Sequence, residues 1–121
     1  MIVDPALSSE KYCYLTTCGR RTGNPRTIEI WFGLNGDTLY MLSGGREGSN
    51  WVRNLQREPF VGVRIAANMY AGIARVVESA TEEDALARRL LLTKYEPEEH
   101  DLANWARTAL PVAVDLKSRE N

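Results

Sequence analysis

From Arg26 to Leu34 the chain alternates with a period of two. Ile28, Ile30, Phe32 and Leu34 fall on one side, and Thr27, Glu29 and Trp31 on the other. That period belongs to a strand with one buried face. Asn35-Gly36 follows, a strong short signal for a tight hairpin, and Thr38–Leu42 returns as the partner strand. An antiparallel hairpin this early constrains the fold more than any other stretch.

The remaining segments fit the same plan. Asp4–Glu10 predicts a short helix with Pro5 in its first turn, and Lys11–Thr17 a strand. Cys18–Asn24 reads as a turn bounded by Gly19 and Gly23. Ser43–Gly48 is a Gly-rich loop, and Ser49 an N-cap for a helix from Asn50 to about Glu58, stopped by Pro59. Phe60–Ile65 and Met69–Val77 are strands around an Ala67-Asn68 turn. Thr81 with Asp84 forms a capping box for a helix through Tyr95, with Leu86 and Leu90 on one face and Arg88 and Arg89 near the other. Residues 98–107 predict a short helix, and Pro111–Leu116 a last strand. Short antiparallel strands with few helices argue for a small α+β barrel, mainly β, and against a doubly wound parallel sheet.

At 121 residues the chain has room for one domain, 1–121, and not for two. Its formal net charge of −1 gives no global reason to expect nucleic acid or an anionic membrane as partner. The charge is uneven: residues 19–57 hold six arginines against three acids, which suits a small anionic ligand. Cys13 and Cys18 flank one strand, too far apart for a disulfide, and are expected to be free. With His100 as the only histidine, no zinc-ligand spacing exists. Neither a signal segment nor an apolar run of membrane length is present, so the default location is the cytoplasm.

Two turns could carry chemistry. In Gly19-Arg20-Arg21-Thr22-Gly23-Asn24-Pro25-Arg26, glycines permit close backbone approach, while three forked arginines and a hydroxyl match phosphate or carboxylate oxygens. The same residues would also make a solvated hairpin turn. The second turn, Ser43-Gly44-Gly45-Arg46, leads into a helix N-terminus, where unpaired N–H groups favour anions. Its spacing is neither a P-loop nor a dinucleotide fingerprint. Trp51 and Asn54 share a face of the helix that follows, where the indole could wall a flat ring or pack on the core. No nucleophile, acid or base constellation stands out, a pattern that fits a site whose cofactor does the chemistry.

The ordered series Leu15-Thr16-Thr17-x-Gly19-Arg20-Arg21-Thr22-Gly23-x-Pro25-Arg26, Gly36-Asp37, Leu42-Ser43-Gly44-Gly45, Trp51-x-x-Asn54-Leu55 and Pro59-x-Val61 resembles the deazaflavin-dependent nitroreductase family. The likeness runs through about residue 78. It implies a split β-barrel of the FMN-binding type with two or three peripheral helices. It also implies coenzyme F-420, an 8-hydroxy-5-deazaflavin with a phosphate and a polyglutamate tail. By resemblance, Arg20, Arg21, Thr22, Gly23 and Arg26 hold phosphate, and Ile28 and Ile30 back the ring. Ser43, Gly44, Gly45, Trp51 and Asn54 complete the pocket. Many members carry a lysine within the Ser-Gly-Gly loop; here Ser43 runs straight into Gly44, which leaves that role to Arg46.

The activity implied is hydride transfer from reduced deazaflavin to a quinone, an enone or a nitroaromatic. Protonation would come from solvent or from Tyr40, Tyr70 or Tyr95. FMN in place of F-420, or a non-catalytic barrel that carries a cofactor or lipid-like ligand, are the alternatives. A homodimer is expected, since barrels of this type often pair their sheets.

Overall fold

The computed structural model describes residues 1–120. Seven antiparallel strands form one sheet: β1 (Cys13–Cys18), β2 (Pro25–Ile30), β3 (Gly33–Asn35), β4 (Thr38–Ser43), β5 (Phe60–Ile65), β6 (Asn68–Val76) and β7 (Leu110–Arg119). Their order across the sheet is β2-β1-β5-β6-β7-β4-β3. The two edge strands, β2 and β3, are therefore neighbours in sequence, and only Trp31 and Phe32 separate them. So short a link between opposite edges forces the sheet to curl until its edges meet. The result is the expected mainly β, split barrel, with three helices outside: α1 (Asn50–Arg57), α2 (Glu82–Tyr95) and α3 (Ala103–Thr108).

The long strand predicted over Arg26–Leu34 is thus two strands. β2 pairs with β1, Ile28 opposite Leu15, while β3 pairs with β4, Leu34 opposite Leu39. At the break the Tyr95 hydroxyl accepts the Phe32 N–H at 3.0 Å and donates to the Lys11 carbonyl at 2.7 Å. Backbone groups that leave the ladder are paired in this way by a side chain from α2. The predicted 98–107 helix is shorter and later, Ala103–Thr108.

Ser49 sits at the N-cap of α1 but makes no side-chain cap bond, its hydroxyl contacting Ser43 instead; the other caps and the hairpin follow their local signals. Asp4 caps a 3-10 turn at Pro5–Ser9 through Ala6 N–H. The β3–β4 hairpin loop is Gly36-Asp37, with Asn35 already in the strand and Gly36 at φ 61°, a conformation that favours glycine. Thr81 Oγ1 accepts the Asp84 N–H at 3.1 Å, and the Asp84 carboxylate accepts from Ala80 N–H. Between the Ala71–Ser118 and Gly72–Leu116 pairs Lys117 is an extra residue, a bulge that bends β7 against β6. A Cβ on Gly72 would lie 2.6 Å from Val114 Cγ1, so this bend requires glycine.

Two apolar cores result. Leu15, Phe32, Leu39, Met41, Val63 and Val112 are among those filling the barrel interior, with Val52 and Leu55 of α1 closing it. The second core lies outside, where Ala87, Leu91 and Tyr95 of α2 pack on Tyr40, Leu42 and Ala113. Trp31 stacks on Tyr95 there, centroids 4.3 Å apart, and meets Trp105 edge-on at 5.6 Å. Cys13 and Cys18 are free; burial pushes the Cys13 thiol up to about 12. No helix among the described residues is long and apolar enough to cross a membrane.

Candidate functional site

A cleft of about 840 Å3 opens between the β1–β2 turn, the start of β2 and the first turns of α1. The turn is closed by backbone: Gly19 N–H donates to the Asn24 carbonyl at 2.8 Å, and Gly23 N–H to the Gly19 carbonyl at 2.7 Å. A Cβ on Gly19 would sit 2.9 Å from Asn24 O, so glycine is what lets the turn close this tightly on its own backbone. This geometry gathers Arg20, Arg21, Thr22 and Arg26 on one wall. Thr22 Oγ1 accepts the Asn24 N–H at 3.2 Å, which leaves its own proton available to a ligand.

The opposite wall belongs to α1. Trp51 packs partly on the barrel core and also lines the cleft. Asn54 is buried on the same face. Its Oδ1 accepts from Arg20 N–H at 3.2 Å and from Arg20 Nη1 at 3.0 Å, and its Nδ2 donates to Thr17 Oγ1 at 3.1 Å. Asn50 Oδ1 takes Arg20 Nη2 at 3.2 Å. Ile28 supplies apolar surface on the floor.

Of the residues expected at the site, seven meet here: Arg20, Arg21, Thr22, Arg26, Ile28, Trp51 and Asn54. The others stand elsewhere. Gly23 lies in the turn with φ 77° but does not line the cleft, and Ile30 packs against the barrel core. Ser43 is buried; its hydroxyl contacts Ser49 Oγ at 2.8 Å and donates to Arg46 O at 3.0 Å. Gly44 and Gly45 are exposed outside the cleft. Arg46 points to α3, where Nη1 donates to the Thr108 carbonyl at 2.6 Å, and it pairs with Glu47. The second turn therefore braces the helix start rather than facing the cleft.

Sequence reasoning passed over Thr17, Thr27, Ser49 and Asn50, which also line the cleft. Asn50 and Asn54 are four apart on a helix opposite an arginine turn, and that spacing was the available signal. Tyr40, Tyr70 and Tyr95 are outside it. Tyr40 donates to Glu83 at 2.7 Å, and burial followed by that carboxylate pushes its phenol up to about 12. No carboxylate stands among the residues lining the cleft. The lining is a set of cations, hydroxyls and amides around apolar surface, without carboxylate, imidazole or thiol, which can hold a large anionic ligand with a flat ring.

A family model described as F420H(2)-dependent quinone reductase matches residues 5–117. Solved structures of similar fold include an F420-H2 dependent reductase, 19% identical, with 94% of this chain and 97% of that chain covered and a TM-score of 0.70. A conserved hypothetical protein from Mycobacterium tuberculosis is 16% identical, with 98% and 84% covered and a TM-score of 0.76. The haem storage protein HutZ from Vibrio cholerae is 15% identical, with 98% and 92% covered and a TM-score of 0.70. At these identities the likeness to solved structures concerns the fold.

Proposed function

The chain belongs to the F420H(2)-dependent quinone reductase family, and on that footing we propose that the cleft beside α1 holds coenzyme F-420 and that the protein uses it to reduce a small electrophile. The observation that carries this reading is the cationic lining: Arg20, Arg21, Arg26 and the Thr22 hydroxyl surround one space that no carboxylate lines. Forked guanidinium groups suit the phosphate and glutamate carboxylates of such a cofactor. Ile28 and Trp51 offer the apolar surface a tricyclic ring needs. The volume lies in the range of sites that bury a ligand of that class.

When bound, the reduced deazaflavin supplies the hydride chemistry. The chain's own residues bind and orient. The arginines neutralise the tail, Thr22 donates to an oxyanion, and Trp51 with Ile28 keeps water from the ring. No tyrosine lines the cleft, which leaves solvent or one of the lining hydroxyls, Thr17, Thr22, Thr27 and Ser49, to supply the proton that completes reduction. Ser43, Gly44, Gly45 and Arg46 act at one remove, by fixing the start of α1 through Ser49.

The substrates proposed are a quinone first, then an enone or nitroaromatic. Mixing the protein anaerobically with reduced F-420 and one of each tests this, with oxidation of the cofactor followed by absorbance. Protein-dependent oxidation by at least one substrate is expected. Cofactor binding without turnover on any of them would make the protein a carrier instead.

A further inference from the structure

The three arginines with the most structured surroundings are held in two different ways. Arg75 is gripped by carboxylates, Nε to Asp115 at 2.8 Å and Nη1 to Glu83 at 2.6 Å. Arg88 is paired with Asp84 at 2.9 Å and also donates to the carbonyls of Ala106, Arg107 and Ala109. Arg20 is fixed on two nitrogens of its guanidinium and on its backbone N–H, yet every acceptor is an amide oxygen of Asn50 or Asn54. A carboxylate would hold an arginine more strongly than an amide does, because charge-assisted bonds are stronger. It would also cancel the charge. An amide orients the fork and leaves the charge unspent.

We propose that Asn54, assisted by Asn50, is a positioning and specificity-determining residue that presents Arg20 with its full positive charge to an oxyanion of the ligand. Asn54 itself is buried, 4% exposed, and acts through Arg20 rather than by contact with the reacting ring. The backbone N–H and guanidinium of Arg20 can only donate, so they fix Oδ1 as the atom turned to Arg20 and leave Nδ2 to donate to Thr17 Oγ1. The inference rests on the cofactor reading only for the identity of the ligand; the preference for an anion follows from the charge.

The test is N54D, which keeps the shape. Thr17 can turn its hydroxyl to donate to the new carboxylate, so both contacts survive. Affinity is measured for oxidised F-420 and, in parallel, for inorganic pyrophosphate followed by the NMR shift of the Arg20 backbone amide, each at two salt concentrations. N54D is expected to melt no lower than the wild type, to bind both ligands at least ten-fold more weakly, and to lose less affinity as salt rises. A purely structural asparagine would leave the salt dependence unchanged. N50D, at an exposed position, should show the same signs to a smaller extent and serves if N54D does not fold. Unchanged affinity and salt dependence in the variant would overturn the proposal. A wild type that binds pyrophosphate but not F-420 would overturn the cofactor reading alone, the aspartate variants then being judged on pyrophosphate. A wild type that binds neither would overturn both.

Discussion

Tyr95 and Phe32 meet where the barrel splits: the phenol oxygen is 3.0 Å from the Phe32 nitrogen and 3.2 Å from its carbonyl oxygen. One side chain from α2 thus replaces the ladder bonds that neither β2 nor β3 can supply. Burial of the ring pushes the phenol well above its ordinary range, so it stays protonated and can both donate and accept. Replacing it by phenylalanine orphans the Phe32 N–H and removes the donor to Lys11. The expected loss is about 1–3 kcal/mol of stability. Denaturant unfolding of Y95F measures it; cofactor affinity should not change, because Tyr95 lies outside the cleft.

Arg20, Arg21 and Arg26 should divide into two classes. The side chains of Arg21 and Arg26 have no hydrogen-bond or ion-pair partner among the described residues, whereas Arg20 is tied to α1. R21A and R26A should weaken F-420 binding with the melting temperature unmoved, each contact being worth about 1.5–3 kcal/mol. R20A should lower both. Calorimetric titration beside thermal melts of the three variants separates the effects, and unchanged affinity in the triple variant would remove this turn from the site.

Acid should loosen the α2 clamp. The Arg75 guanidinium, through its hydrogen bonds, holds the Glu83 and Asp115 carboxyls below their ordinary values of 4.5 and 3.8. A carboxyl held lower in the folded than the unfolded chain contributes stability above its unfolded value and loses it as pH falls through the folded one. Stability should therefore drop below about pH 4.5, as both carboxyls become protonated. R75M should cost about 1 kcal/mol at pH 7, the pair being part-exposed, and show a flatter decline in acid. Urea midpoints of both proteins from pH 7 to pH 3 check the sign.

The outer face of β5 and β6 points to self-association. Phe60 faces Ile73 in register, and the two are 67% and 36% exposed, with Met69 beyond them at 49%. Large apolar side chains grouped on one sheet face are a common mark of an interface. Light scattering should give twice the 13.6 kDa chain mass for the wild type and a monomer for F60E. A monomeric wild type would contradict the expected homodimer.

The elements whose determinants are local were legible in the sequence. The Gly36 hairpin, the Thr81 cap, the β5–β6 pair and the Arg-rich turn all depend on residues within a few positions of one another. The break between β2 and β3 was not, because alternation continues across it and the group that permits it, Tyr95, is 63 residues away. The position of Arg46 was hidden for the same reason: its acceptor is the Thr108 carbonyl on α3. Spacing puts Asn54 on one helix face with Trp51, and the family resemblance implies its place in the pocket. Only the folded turn shows that its amide oxygen accepts from Arg20.

The most direct test of the central claim is equilibrium binding of the purified protein to oxidised coenzyme F-420, with FMN titrated in parallel. A cleft lined by three arginines and no carboxylate, in a chain of this family, predicts tight F-420 binding and weak FMN binding. A preference for FMN, or binding of neither, would contradict it.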